Sequence, residues 1–188
     1  MAQVIDPNSR APMDCTSKKL CEDRAPSIPL FDSKGVMKDS RCLNGVEFRP
    51  LSSADFGRGF CTVLEELTRC EATEEDFGVV FREMKEKEGL YFVVVGEELS
   101  TGRIVASGTV FIERKFIHRG SFVGHIEDIV IKKEVRGKEL GKELISHLVH
   151  IAESRGCYKV ILDCNDSNVC FYEKCGFHKH ENQMARYL

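Results

Sequence analysis

The residues best equipped for chemistry crowd one turn: Arg136, Gly137, Lys138, Glu139, Leu140, Gly141 and Lys142. A helical apolar period begins there, so the turn opens a helix. The first N–H groups of a helix lack carbonyl partners and carry partial positive charge, which suits a phosphate or pyrophosphate. Arg136, Lys138 and Lys142 add cations, and each charge-assisted hydrogen bond contributes about 1.5–3 kcal/mol. The G-x-x-x-x-G-K-[ST] loop is excluded: Gly137 to Gly141 is one residue short, and Glu143 stands where a hydroxyl would hold magnesium. G-x-G-x-x-G is absent too. For this loop alone, an ordinary strand–turn–helix with a charged surface stays open.

Further reactive groups flank the turn. Glu127, Asp128 and Asp163 are carboxylates that can take a proton from an amine, or can serve as partners of Arg or Lys. In a regular strand Glu127 and Asp128 face opposite ways. Tyr172 carries a phenol able to donate a proton. Lys115, His118 and Lys159 are cations that could meet a phosphate, although most lysines are simply solvated.

The elements that must hold these groups can be read from periodicity. Residues 126–131 are β-branched at nearly every apolar position and predict a strand. Leu140, Leu144, Ile145, Leu148, Ile151 and Ala152 predict a helix over 137–155 with one apolar face, with His147 and His150 on the solvent side and Gly156 as its stop. Upstream, 46–51 alternates as an edge strand with Pro50 near its end. Phe56, Phe60, Val63, Leu64 and Leu67 predict a helix over 54–70. Thr73 to Asp76 resembles a capping box, opening a helix with Phe77, Val80, Phe81 and Met84 inward. Residues 91–96 and 104–112 form a hairpin, followed by a charged and aromatic loop over 113–124. Residues 158–163 predict a strand, 166–175 a short helix closed by Gly176, and 177–188 a last extended segment. A strand–helix–strand crossover beside a hairpin requires a mixed sheet, α/β in class, with helices on both faces.

Bulk properties set the bounds. The 188 residues suffice for one domain, 42% are hydrophobic, and the formal net charge of −3 gives no global field for nucleic acid. No apolar run reaches the roughly 18–20 residues of a membrane span, and the N-terminus lacks a continuous apolar stretch of secretory type. The nine cysteines contain no C-x-x-C pair, so they read as small apolar residues of a reducing compartment, and no metal site is expected. A cytoplasmic protein is the expectation. All five prolines fall in the first 50 residues. Residues 1–42 are read as an irregular arm, pinned by Ile28, Leu30 and Phe31, with one domain over 43–188.

Five segments in order carry a resemblance: I-E-R-K-F-I-H at 112–118, G-H-I-E-D-I at 124–129, R-G-K-E-L-G at 136–141, G-C-Y-K-V-I-L-D at 156–163 and N-V-C-F-Y-E-K-C-G-F at 168–177. Together they are similar to the glucosamine-6-phosphate N-acetyltransferase branch of the GNAT superfamily, weakly back to Val46 and not into the arm. The loop departs at Glu139, where that family usually has glycine; a helical backbone there would tolerate it. The resemblance implies the GNAT fold, a mixed and mostly antiparallel sheet with helices on both faces. It implies acetyl-CoA as co-substrate, no metal, D-glucosamine 6-phosphate as acceptor, a role in UDP-N-acetylglucosamine synthesis, and a homodimer in which the C-terminal segment serves the neighbour's site.

Site roles follow by the same resemblance. Arg136, Gly137, Lys138, Glu139, Leu140 and Gly141 would cradle the pyrophosphate. Ile129, Val130 and Ile131 would meet the pantetheine through a local bulge, together with Asn168, Phe171, Tyr172 and Lys174. Tyr172 would protonate the leaving thiolate. Glu127 and Asp163 would orient the amine, with Asp128 and Ile129 beside them. Thr68, Lys115, Phe116, Ile117, His118, Tyr158 and Lys159 match substrate segments. Arg186 lies one residue from a family arginine that reaches a phosphate, with Tyr187 at the expected place. A transferase for protein lysine or polyamine, and a silent acyl-CoA-binding module, are the competing readings; a silent module should lack Tyr172 or the loop.

Overall fold

Alternation along the hairpin builds the sheet's two faces. The computed structural model describes residues 27–39 and 42–188. In β2 (Tyr91–Glu98), Phe92 and Val94 face one core while Val93 and Val95 face another. β3 (Arg103–Arg114) pairs antiparallel with β2, and β1 (Val46–Pro50) pairs antiparallel at the edge, where Pro50 costs no interior ladder bond. β4 (Phe122–Ile131) lies antiparallel to β3, and β5 (Cys157–Leu162) joins β4 in parallel. The order β1-β2-β3-β4-β5 makes the mixed, mostly antiparallel sheet that the periodicity and the resemblance imply.

Helices cover both faces. α1 (Phe60–Leu64) and α2 (Glu74–Glu86) bury Val63, Phe77 and Phe81 against Leu51, Val93, Val95, Ile104 and Val130. A single turn, α3 (Ile117–Gly120), joins β3 to β4, with His118 and Arg119 in left-handed backbone. On the opposite face α4 (Leu140–Ser154) buries Leu140, Leu144, Leu148 and Ile151 against Phe48, Val94, Val110 and Ile126. α5 (Val169–Glu173) follows a 3-10 turn at Asp166–Asn168. The capping box forms: the Thr73 hydroxyl accepts from the Asp76 N–H at 3.2 Å, and the Asp76 carboxylate accepts from the Thr73 N–H at 2.9 Å.

Several expectations need correction. No single helix spans 54–70: Gly59, at φ 87°, breaks it into a 3-10 turn at Phe56–Arg58 and the short α1, leaving Leu67 exposed. A buried carboxylate fixes this break, since Asp55 accepts from Arg49 at 2.8 Å and from the Ser52 N–H at 2.8 Å. Val80 is exposed rather than inward. His147 is fully buried against the Phe48 ring, not on a solvent face, because β1 lays Phe48 over it, Met37 joins the α4 core and Lys38 reaches Ser146; burial pushes its pKa down. Residues 178–188 form no strand and are exposed. The described part of the arm, 27–39, is irregular, yet Leu30 and Met37 sit in the core and Phe31 meets Phe92 edge-on at 5.0 Å. The packed unit therefore reaches upstream of residue 43, while the Ile28 side chain is exposed. The rest of the expected arm, with Cys15 and Cys21, lies outside the described residues.

Gly124 sets how closely α4 approaches β4, because a Cβ there would lie 2.9 Å from the Ala152 Cβ. Neither atom can swing aside. Gly124→Ala is expected to cost about 1–3 kcal/mol, read as a fall of roughly 2–4 °C in Tm per kcal/mol. An unchanged Tm would contradict this packing.

Candidate active site

β4 is the strand on which the site is built. Its pairing with β5 ends at Ile126 and Leu162, although β4 continues to Ile131. β5 turns away at Asp163, and the edge of β4 over 127–131 faces no strand on that side among the described residues. On the other side, Ser107 pairs with Val130 and Thr109 with Glu127. Gly108 thus faces two residues of β4, the mark of a bulge. Asp128 is the residue it displaces, with φ 53°. The bulge expected by resemblance is present, and Glu127 and Asp128 are both solvent-exposed beside it.

The turn after β4 meets this open edge. Glu139 precedes α4 with φ 62°, a left-handed conformation rather than the helical one expected. That is the physical reason glycine suits the position. Its carboxylate accepts from Lys142 at 2.7 Å. Gly141 permits the closest contact: a Cβ there would lie 3.1 Å from the Phe171 ring and 3.9 Å from Ile131. The start of α4, the end of β4 and α5 therefore converge at Gly141. The Arg136 guanidinium donates to the Ile131 carbonyl at 2.8 Å and to Glu66 at 2.9 Å. Glu66 also accepts from the Lys133 N–H at 3.1 Å. Arg136 is thus engaged in holding the loop and Lys142 in holding Glu139, which leaves backbone N–H groups and Lys138 as the groups open to an anion, with Lys142 beside them. Glu66 gave no sequence signal, standing 70 residues from Arg136.

Two titratable groups of the candidate site have shifted pKa values, Glu127 and Tyr172. Partial desolvation, then Asp128 and Asp163, hold the Glu127 carboxyl above the ordinary range, with His125 opposing. Three carboxylates therefore share one neighbourhood. Tyr172 is half-buried, edge-on to Phe171 at 5.1 Å and to Phe177 at 6.1 Å. Burial, then Cys164 and Cys175, push its phenol up, so it stays protonated at neutral pH. Asn168 caps α5 and Lys174 follows it, both exposed.

The cationic residues gather on β5 and α3. The His118 ring lies 4.4 Å from that of Tyr158, and Lys159 Nζ sits 5.9 Å over the same ring. Lys115 donates to Glu113 at 2.5 Å. Phe116 and Ile117 are exposed. Thr68 is exposed in the turn after α1, and Arg186 lies in the exposed C-terminal segment, with no contact to the site within this chain among the described residues. Glu113 and His125, which the sequence reading passed over, are linked at 2.8 Å. Strand parity carried that signal, since both alternate with the core residues Ile112 and Ile126.

No cluster of His, Cys, Asp or Glu suited to a metal occurs among the described residues. None of their helices is long and apolar enough to cross a membrane. The groups present do fit an acyl-CoA: an open strand edge, a helix start with lysines and glycines, and a half-buried phenol. Comparison with known proteins agrees. The model of the "Acetyltransferase (GNAT) family" matches residues 58–177. Glucosamine 6-phosphate N-acetyltransferase 1 of Dictyostelium discoideum is 43% identical over 145 residues, covering 77% of this chain and 92% of that protein. The rice protein of the same name is 44% identical over 141 residues, covering 74% and 86%. The crystal structure of glucosamine-6-phosphate N-acetyltransferase from Arabidopsis thaliana aligns with a TM-score of 0.74 at 40% identity, covering 76% and 97%.

The carboxylate cluster has a measurable consequence. A like charge disfavours ionisation, so Asp128→Asn should lower the Glu127 pKa toward the usual carboxylate range. Carboxyl-detected NMR titration reads it directly. A midpoint that stays put, or rises, would show that Asp128 does not act on Glu127.

Proposed function

The chain belongs to the GNAT acetyltransferase family, and we propose that it transfers the acetyl group of acetyl-CoA to the 2-amine of D-glucosamine 6-phosphate. The products are N-acetyl-D-glucosamine 6-phosphate and coenzyme A. One observation carries the choice of acceptor: the strand register puts Lys159 of β5 on the same face of the sheet as Glu127, so cations and carboxylates share that face. Glu127 and Asp163 offer carboxylates for an ammonium, while Lys115, His118 and Lys159 offer positive or titratable groups for a phosphate. A protein lysine would bring no anion for that second set.

The division of labour follows from the geometry. The open edge of β4 over 127–131 offers backbone N–H groups to the acyl carrier and to the carbonyl as it gains negative charge. The start of α4, with Lys138 and Lys142, receives the pyrophosphate. Glu127, whose raised pKa makes it a better base than an ordinary carboxylate, takes a proton from the amine, with Asp163 steering the ammonium. Tyr172 returns a proton to the departing sulfur. Phe171 packs against Gly141 and so fixes the phenol relative to the loop. A homodimer is part of the proposal: Met184, Tyr187 and Leu188 are exposed at 92%, 96% and 111%. They suit burial against a second copy, whose site would then receive Arg186. The proposed setting is the cytoplasm; the seven described cysteines are all free thiols, as a reducing compartment requires.

Product analysis with acetyl-CoA and a panel of amines tests the assignment. Glucosamine 6-phosphate should be acetylated far faster than glucosamine, a lysine peptide or a polyamine. Lys159→Ala should raise its KM by up to roughly fivefold, a solvent-screened ion contact, with acetyl-CoA KM unchanged. Light scattering should give a dimer mass. Equal use of both sugars, or preference for the peptide, would overturn the substrate; a monomer would overturn the assembly.

A further inference from the structure

Glu113 is shared between two partners. One carboxylate oxygen accepts from Lys115 Nζ at 2.5 Å, and the other meets His125 Nε2 at 2.8 Å. These two contacts, Lys115 first, hold its carboxyl below the usual range. The His125 ring is stacked on Phe111 at 4.4 Å and 13°, its register partner across β3 and β4, which fixes the ring plane. Two residues along β4, on the same face, stands Glu127, close enough for His125 to act on its charge. Hydrogen bonds therefore join Lys115, Glu113 and His125, and Glu127 follows on the same strand face within electrostatic range of His125. Asp128 and Asp163 bear on Glu127, and Lys159 of β5 lies on the same face. The reaction described above gives Glu113 and His125 no task.

We propose that Glu113 couples recognition of the sugar's phosphate to removal of the amine's proton, with His125 as the proton's destination. This rests on the sugar-phosphate reading above. Before substrate arrives, Lys115 holds part of the Glu113 charge. The phosphate, bearing close to two negative charges, draws Lys115 off. The freed carboxylate then turns wholly to the Nε2–H of His125 and stabilises the imidazolium. The ammonium N–H bond breaks, and its electron pair stays on nitrogen. The proton passes to Glu127 and from there to Nδ1 of His125. Glu127 is a carboxylate again, and no electrons change hands. His125 and Glu113 act through Glu127 and are positioning residues. The phosphate thereby raises kcat as well as affinity: an unphosphorylated sugar leaves Lys115 on Glu113.

The test measures kcat and KM for glucosamine 6-phosphate and for glucosamine, across neutral pH, in the full-length protein. Glu113→Gln and His125→Gln should each lower kcat with the phosphorylated sugar by roughly 10–100-fold, the usual range of general acid–base effects. The acetyl-CoA KM should stay within about twofold. In Glu113→Gln the kcat advantage of the phosphorylated sugar should collapse, and the acid limb of the pH profile should move. Lys115→Met should do the opposite for glucosamine, raising its kcat by freeing Glu113; this arm stands even if the Glu113 variant fails to fold. Equal losses on both sugars, an unmoved pH profile, or no gain for glucosamine in Lys115→Met would overturn the coupling. A wild type that acetylates neither sugar would instead overturn the substrate reading, and this proposal with it.

Discussion

One displaced residue in β4 governs the site. Asp128 occupies a left-handed conformation, and the ladder to β3 slips by one around Gly108. A bulge bends its strand and increases the local twist, and here the parallel pairing with β5 stops just before it, at Ile126. The consequence is a wedge whose one wall is unpaired backbone. Buried unpaired N–H groups cost too much to persist, so this edge must meet water or a ligand. An acyl thioester laid along it would supply the missing acceptors. Beside the slip, partial desolvation first and then the charges of Asp128 and Asp163 raise the Glu127 pKa. The open edge and the exposed Glu127 thus lie at a single irregularity.

Gly141 is the second constraint and joins the ends of the site. Because it has no side chain, the Phe171 ring reaches the first turn of α4. The turn that opens α4 and the phenol of Tyr172 are then fixed relative to each other through the Phe171 ring. Glu66 adds a third tie, holding the Arg136 guanidinium and the Lys133 N–H from the turn after α1. That turn also carries Thr68, so the segment expected to touch substrate is fastened to the loop expected to hold the acyl carrier. Glu139 shows the cost of departing from glycine: the position keeps its left-handed backbone and spends its carboxylate on Lys142.

Local rules were legible and distant contacts were not. The period from Leu140 to Ile151 marked α4, Thr73 and Asp76 marked the start of α2, and strand alternation marked β2 and β3 with both faces covered. The helix expected over 54–70 failed because its apolar spacing is intact while Gly59 supplies a left-handed break, which a hydrophobic period cannot report. His147 read as polar and exposed, but residues far upstream pack over it. The bond from Glu66 to Arg136 crosses 70 positions and left no trace in spacing. The bulge itself entered by resemblance; the adjacent pair Glu127 and Asp128 gave only an ambiguity about faces. The C-terminal segment reads as extended and apolar at its end, yet it joins no strand among the described residues.

In the proposed reaction the acyl carrier lies along the unpaired edge of β4. Amide hydrogen exchange with and without coenzyme A tests it most directly, since it follows backbone N–H groups and needs no acceptor sugar. The account requires coenzyme A to slow exchange over residues 129–131 and 137–141 and to leave β1 and β2 unchanged. Protection confined to the separate cleft beside Phe31, Lys34 and Arg155, with residues 129–131 unaffected, would contradict it.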